Sequence, residues 1–332
     1  MKSTKNVIKT SARFIVSFGA IGIIFYLFRG QLPTVLDHLS KANPLMFVFA
    51  VFIFMAGLIS VAFRLKMVLK IHNADLSVTN LYYMNLVALF FNNILPSHAG
   101  GEMVKAYYIY KGSNKNVAAF GGVVIDRLFG LITMVLIGVA AIFLYDGALA
   151  SPKILSSVLM LALFTAAFCC MLFNQKIVDF LCRLHIPLVP RTLLDKLRDI
   201  YQAMHHYRGH KGIVVTCMLL TLIGQTSFVF TNYFLAKSLG IAIPLGFFFY
   251  FIPIIMVLGL APSINGIGVR EATYLFYLTG FTSSEMALAL SLLTSFFMVF
   301  VGLVGGVLYA FKGGVPSMKE MIQQDTDIKI NQ

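Results

Sequence analysis

The 332-residue chain is 59% hydrophobic and 12% charged, with a mean hydropathy of +0.85 and a net charge of +13. So little polar surface cannot cover a soluble domain of this length. Apolar runs long enough to cross a hydrocarbon core of roughly 30 Å recur throughout, so the chain reads as an all-α integral membrane protein. The basic residues gather in alternate loops, which makes the excess charge a marker of topology and argues against nucleic acid as a partner.

The first element has a basic start (Lys2, Lys5, Lys9, Arg13) and an apolar stretch from Phe14 to Phe28. No small-x-small cleavage pattern follows, so it is expected to remain as a first span over about 12–29. Further full spans are expected at about 45–68, 117–145, 154–173, 213–237 and 285–311. Two other apolar stretches, about 79–111 and 244–279, break at Pro96–Gly101 and Pro262–Gly268. Their arms of roughly 11 to 17 residues, rising about 1.5 Å per residue, fall short of a full crossing or barely reach it, so each reads as a re-entrant hairpin. The expected architecture is six full transmembrane helices plus two re-entrant helical hairpins. It divides into a first membrane repeat (1–173), a cytoplasmic amphipathic connector (174–212), a second repeat core (213–315) and a cytoplasmic tail (316–332).

The two breaks resemble one element used twice. Sliding one onto the other matches Pro96 with Pro262, Ser97 with Ser263, Gly100 with Gly266, Ala106 with Ala272 and Tyr108 with Tyr274. With both hairpins entering and leaving on the same side, nineteen Lys and Arg fall on the N-terminal side and four (Arg29, Lys41, Lys153, Lys237) on the far side. That split predicts a multi-pass protein of the cytoplasmic (inner) membrane with both termini cytoplasmic. Three spans separate the hairpins, so the repeats are expected to be inverted, with two half-sites meeting near the bilayer midplane.

Six charged residues, Glu102, Lys105, Asp126, Arg127, Arg270 and Glu271, are expected at membrane depth. Each ion left alone there would cost roughly 2.5 to 3.5 kcal/mol, so they must be paired or hydrated. Asp126 and Arg127 are adjacent on one span and point about 100° apart. One is expected to face Glu102 and Lys105, the other to reach across to Arg270 and Glu271. After each break a half-helix begins, with Ser97 or His98 and then Asn265 as N-caps, and with Gly100, Gly101, Gly266 and Gly268 allowing close approach. Two helix N-termini aimed at the protein centre favour an anion, and Arg127 and Arg270 would add bidentate donors. The expected substrate-binding set is therefore Ser97, Gly100, Gly101, Glu102, Lys105, Asp126, Arg127, Ser263, Asn265, Gly266, Gly268, Arg270 and Glu271.

No catalytic residue is expected. The chain lacks G-x-S-x-G, H-E-x-x-H and P-loop motifs, and Gly266-Ile267-Gly268 follows no strand, so the reading is of a non-enzyme without cofactor. The four Cys show no C-x-x-C spacing, and His206 and His210 lack a carboxylate partner, so no metal site is expected.

The stretches Asn92-Asn93-Ile94-Leu95-Pro96-Ser97 through Gly100-Gly101-Glu102, Ile125-Asp126-Arg127-Leu128 and Pro262-Ser263-Ile264-Asn265-Gly266-Ile267-Gly268-Val269-Arg270-Glu271 resemble the lysylphosphatidylglycerol synthase transmembrane-region family. The resemblance covers nearly the whole chain. It implies lipid translocation, with a phospholipid (including aminoacylated forms), a polyprenyl-linked sugar or a hopanoid as substrate. The bifunctional members carry a soluble synthase domain, whereas this chain ends at Gln332 soon after its last span, so the resemblance does not carry over aminoacyl transfer. The expected function is a flippase or transporter moving an anionic-headgroup or lipid-linked substrate between leaflets. The alternative is an accessory or catalytic membrane protein serving a glycosyltransferase or a lipid-modifying enzyme.

Overall fold

The computed structural model describes residues 32–71, 73–94, 100–113, 116–144, 207–259 and 268–311, with scattered positions between 152 and 165. These residues form α-helices and one turn of 3-10 helix at Tyr207–Gly209, with no strand among them. The helices are α1 (Leu32–Ser40), α2 (Pro44–Ile71), α3 (Val78–Ile94), α4 (Gly100–Ser113), α5 (Asn116–Leu144), α6 (Lys211–Ser238), α7 (Leu245–Leu258), α8 (Val269–Leu278) and α9 (Ser284–Phe311). The expected spans at 12–29 and, for the most part, 154–173 lie outside the described residues, as do most of the connector and the tail.

Local chemistry sets the helix ends. Asn43 caps α2, its Oδ1 accepting from the N–H groups of Leu45 (2.9 Å) and Met46 (3.3 Å), and Pro44 takes the first helical position, where no N–H is needed. Ser77 and Ser283 open α3 and α9 by accepting from Asn80 and Met286. Past the end of α6, Gly240 adopts a left-handed φ of 73° and donates to the Lys237 carbonyl.

Four helices, α2, α5, α6 and α9, are long and apolar enough to cross a membrane. Their outward faces carry exposed Leu45 and Phe52 on α2, Leu219 and Ile223 on α6, and Phe296 and Leu303 on α9, as lipid-facing surfaces require. The other helices are shorter. At about 1.5 Å per residue, the 14 residues of α7 and the 10 of α8 reach only about 21 and 15 Å. In each broken stretch one helix ends and another begins, α3 at Ile94 with α4 from Gly100, and α7 at Leu258 with α8 from Val269; residues 95–99 and 260–267 lie outside those described.

α2 and α6 pack together along most of their length and run antiparallel. Successive contacts pair Asn43 with Ser238, Gly57 with Ser227, Ser60 with Gly224, and Arg64 with Thr221. The backbones approach closely: a Cβ on Gly57 would lie 2.6 Å from the Ser227 Cβ, and one on Gly224 would lie 2.9 Å from the Ser60 Oγ. These two contacts are reciprocal, because Gly224 and Ser227 follow Gly57 and Ser60 by 167 positions each. The same shift carries Pro44 and Ile71 onto Lys211 and Ser238, and Val78 onto Leu245. It also carries the α5–α7 contact between Gly138 and Pro253 onto the α9–α3 contact between Gly305 and Leu86. The core fills the space between these pairs, with α7 contributing Phe247, Phe248 and Phe251 against Tyr274 and Phe297.

Candidate functional site

A cavity of about 340 Å³ opens between α2, α3, α5, α6, α7, α8 and α9. Its apolar wall includes Phe54, Leu58, Val61, Phe228, Ile255 and Met256. Its polar lining is cationic and amide-rich. Arg64, Arg127 and Arg270 reach it from α2, α5 and α8, and Asn92, Asn93, Gln225 and Asn232 reach it from α3 and α6. Among the described residues, no Asp or Glu lines it.

The carboxylates stand behind the arginines. Asp126 is buried and accepts from the Arg64 Nε at 2.6 Å, with the Lys105 Nζ 3.8 Å away on its other oxygen. Lys105, also buried, lies 3.1 Å from Glu102, and Glu102 in turn accepts from Arg127 at 2.5 Å. The result is a ribbon of alternating sign, Arg64–Asp126–Lys105–Glu102–Arg127, whose two ends face the cavity. Alternation gives Asp126, Lys105 and Glu102 an opposite charge on both sides, and this offsets the several kcal/mol that burying an ion costs. Arg64 also donates to the Thr221 hydroxyl at 3.1 Å, tying the ribbon to α6.

In the second half, Arg270 donates to the Ser295 Oγ at 3.0 Å. Glu271 turns back on its own helix. Its carboxylate accepts from the Gly268 N–H at 2.5 Å and sits 3.4 Å from the Ser291 hydroxyl. Gly268 holds φ at 86°, a left-handed conformation that costs glycine little, and so lets the chain enter α8 at this angle. Nearby, the Tyr274 hydroxyl donates to the Asn232 Oδ1 (3.3 Å) and meets the Thr294 Oγ1 (3.2 Å), joining α8, α6 and α9 under the cavity.

The structure therefore brings Glu102, Lys105, Asp126 and Arg127 into one cluster and sets Arg270 on the same cavity. It corrects the expected pairing across the halves. Asp126 and Arg127 both take their ionic partners from the first half, and Glu271 serves as a helix cap. Gly100 and Gly101 are packing residues: both are buried, and the Gly101 N–H donates to Asn92 at 2.9 Å where α4 presses on α3. Ser97, Ser263, Asn265 and Gly266 lie outside the described residues.

Sequence reasoning missed Arg64, counting it among the nineteen cations of the N-terminal side although it falls within the expected span at about 45–68. In the structure it is buried well inside α2. It also passed over the amides. Thr221, Gln225 and Asn232 recur at helical spacing within an apolar helix, a stripe that marks an inward polar face.

Together the long apolar helices and the buried cationic cavity define a multi-pass α-helical membrane protein. The family model for the lysylphosphatidylglycerol synthase TM region matches residues 11–306, and the chain belongs to that family. It is similar to a UPF0104 membrane protein of Methanocaldococcus jannaschii, with 26% identity over 232 residues covering 64% of this chain and 67% of the relative.

Proposed function

We propose that the protein is a transporter of the cytoplasmic membrane that carries an anionic-headgroup lipid between leaflets, built as an inverted repeat of six full spans and two re-entrant hairpins. The observation that carries this reading is the cavity itself, whose lining combines three guanidiniums with a set of apolar side chains. A guanidinium presents a planar fork to two oxygens of a phosphate, and the apolar wall accommodates the lipid stem that must follow. The reciprocal contacts at a spacing of 167 residues support the repeat, and the shortness of α7 and α8 supports the hairpin of the second half. Helices that stop part-way and aim their ends at a central site are the usual way such repeats hold a polar cargo.

The test is lipid movement in proteoliposomes, followed by reduction of a fluorescent headgroup from outside. Arg270→Ala is expected to abolish movement and Arg270→Lys to restore part of it, since an ammonium lacks the fork. Lys41→Gln, which breaks only the exposed pair with Asp37, is expected to behave as wild type. Normal movement by a folded Arg270→Ala protein would refute the anion site.

A further inference from the structure

We propose that Glu102 is a tethered rival of the cargo's phosphate: it holds Arg127 when no headgroup is bound, yields it to an incoming phosphate and takes it back to expel that phosphate. This rests on the lipid-transport reading above and adds to it the residue that sets how tightly the headgroup is held and how readily it leaves.

The arginines of the cavity differ in how they are held. Arg64 is buried and committed twice, its Nε to Asp126 at 2.6 Å and its Nη1 to the Thr221 hydroxyl at 3.1 Å. Arg127 has 49% of its side chain exposed and donates through Nη2 to the Glu102 Oε1 at 2.5 Å. A guanidinium offers a phosphate two bidentate edges, Nε with Nη2 and Nη1 with Nη2, so both pass through the atom that Glu102 occupies. A phosphate gripped by two prongs of Arg127 therefore arrives beside the carboxylate, and at that range the two anions repel.

The ribbon makes the exchange inexpensive. The Lys105 Nζ lies 3.1 Å from the Glu102 Oε2, so a carboxylate that loses Arg127 keeps a counter-charge. Arg127 meanwhile trades one oxyanion for another, and no ion is left alone at either stage. Asp126 has a poorer reserve, since without Arg64 it would keep only Lys105 at 3.8 Å. A near-balanced exchange suits a carrier, whose cargo must be held firmly enough to enter and loosely enough to leave. The exchange also reaches the helices. Glu102 stands in the first turn of α4 and Arg127 on α5, so their bond ties the two helices together and an incoming phosphate undoes it.

The experiment uses the full chain with phosphatidylglycerol as the phosphodiester probe, diacylglycerol as its phosphate-free control and glycerol 3-phosphate as the soluble one. Affinity is read by thermal shift in detergent and movement in vesicles. Glu102→Gln keeps the shape and removes the charge. It is expected to bind phosphatidylglycerol roughly fivefold or more tightly and to move it roughly fivefold or more slowly, since nothing then expels the headgroup. A side chain that merely supports the fold would weaken both. Lys105→Gln is expected to weaken binding, because Glu102 then falls wholly to Arg127, and to change it by less than about twofold once Glu102→Gln is present. Additive changes in that cycle overturn the proposal, since they mark charges acting on the phosphate independently, and so does a folded Glu102→Gln protein that binds no tighter. The unmodified chain supplies a readout that needs no variant. Infrared difference spectra are expected to show a carboxylate stretch shifting with phosphatidylglycerol and not with diacylglycerol, and an unchanged band overturns the proposal. Glycerol 3-phosphate that binds as tightly and gives the same shift also overturns it, since that marks a free-phosphate site. Competition in detergent without movement in vesicles would refute transport and leave the exchange standing. Movement of lipid with no tightening in Glu102→Gln would do the reverse.

Discussion

Asp126 is the residue on which the buried ribbon depends, because it touches two cations and is nearly inaccessible to water. Replacing it with Asn leaves Arg64 and Lys105 short of a counter-ion in a site water cannot reach, a change that typically costs about 3 to 5 kcal/mol. Asp126→Asn is therefore expected to lower thermal stability strongly, and Lys105→Gln in the same chain to recover part of the loss. Asp126→Asn combined with Arg270→Gln is expected to be additive within about 0.5 kcal/mol, since Asp126 takes its partners elsewhere. Double-mutant cycles read by thermal denaturation decide both points. The sequence showed that these charges must be paired or hydrated, because six lone ions in apolar helices cost too much. It could not show with which partner, since Arg64 lies 62 positions from Asp126 and looks like the basic end of a span. Glu271 misled for a different reason. A carboxylate three residues into a helix reads as site or cap alike, and only the 2.5 Å contact with the Gly268 N–H decides for the cap.

At the scale of elements, the seam between α2 and α6 is held by size. Gly57→Ala would drive a methyl into Ser227, and overpacking of this kind costs about 1 to 3 kcal/mol. Gly57→Ala is expected to lower the melting temperature, and Ser227→Gly in the same chain to restore it. Gly224→Ala with Ser60→Gly is expected to behave alike, because the second contact is the twin of the first. Gly121→Ala is the control: a Cβ there meets nothing within 4 Å, so the better helix former should be neutral or stabilising by up to about 1 kcal/mol. That helices end at Ile94 and Leu258 was legible in the sequence, because the Pro and clustered Gly that follow end helices by elementary sterics. The seam was not legible, since a Gly-x-x-Ser step has meaning only when the facing helix is known.

For the whole molecule, the prediction concerns sidedness. Lys111 near the end of α4 and Gly280 just beyond the end of α8 are both exposed, and in the proposed repeat they lie at the close of the first and the second hairpin. On a Cys-free background, Lys111→Cys is expected to react with an impermeant reagent only from the cytoplasm, and Gly280→Cys only from outside. Labelling of both from one side would show that the halves are not inverted.

A bearing made of Gly57 against Ser227 and Gly224 against Ser60 is indifferent to direction. If the halves rock as the transport proposal requires, tilting one way compresses one contact and relaxes its twin, and tilting the other way exchanges the two, so the joint itself stores no preference for either leaflet. Any rectification has to come from parts that are not duplicated. The five-charge ribbon is confined to α2, α4 and α5, while the corresponding place in the second half holds a carboxylate locked onto its own helix. In the proposed transporter, an even-handed joint beside a one-sided ribbon would leave the direction of movement to the lipid gradient and the resting posture to the ribbon.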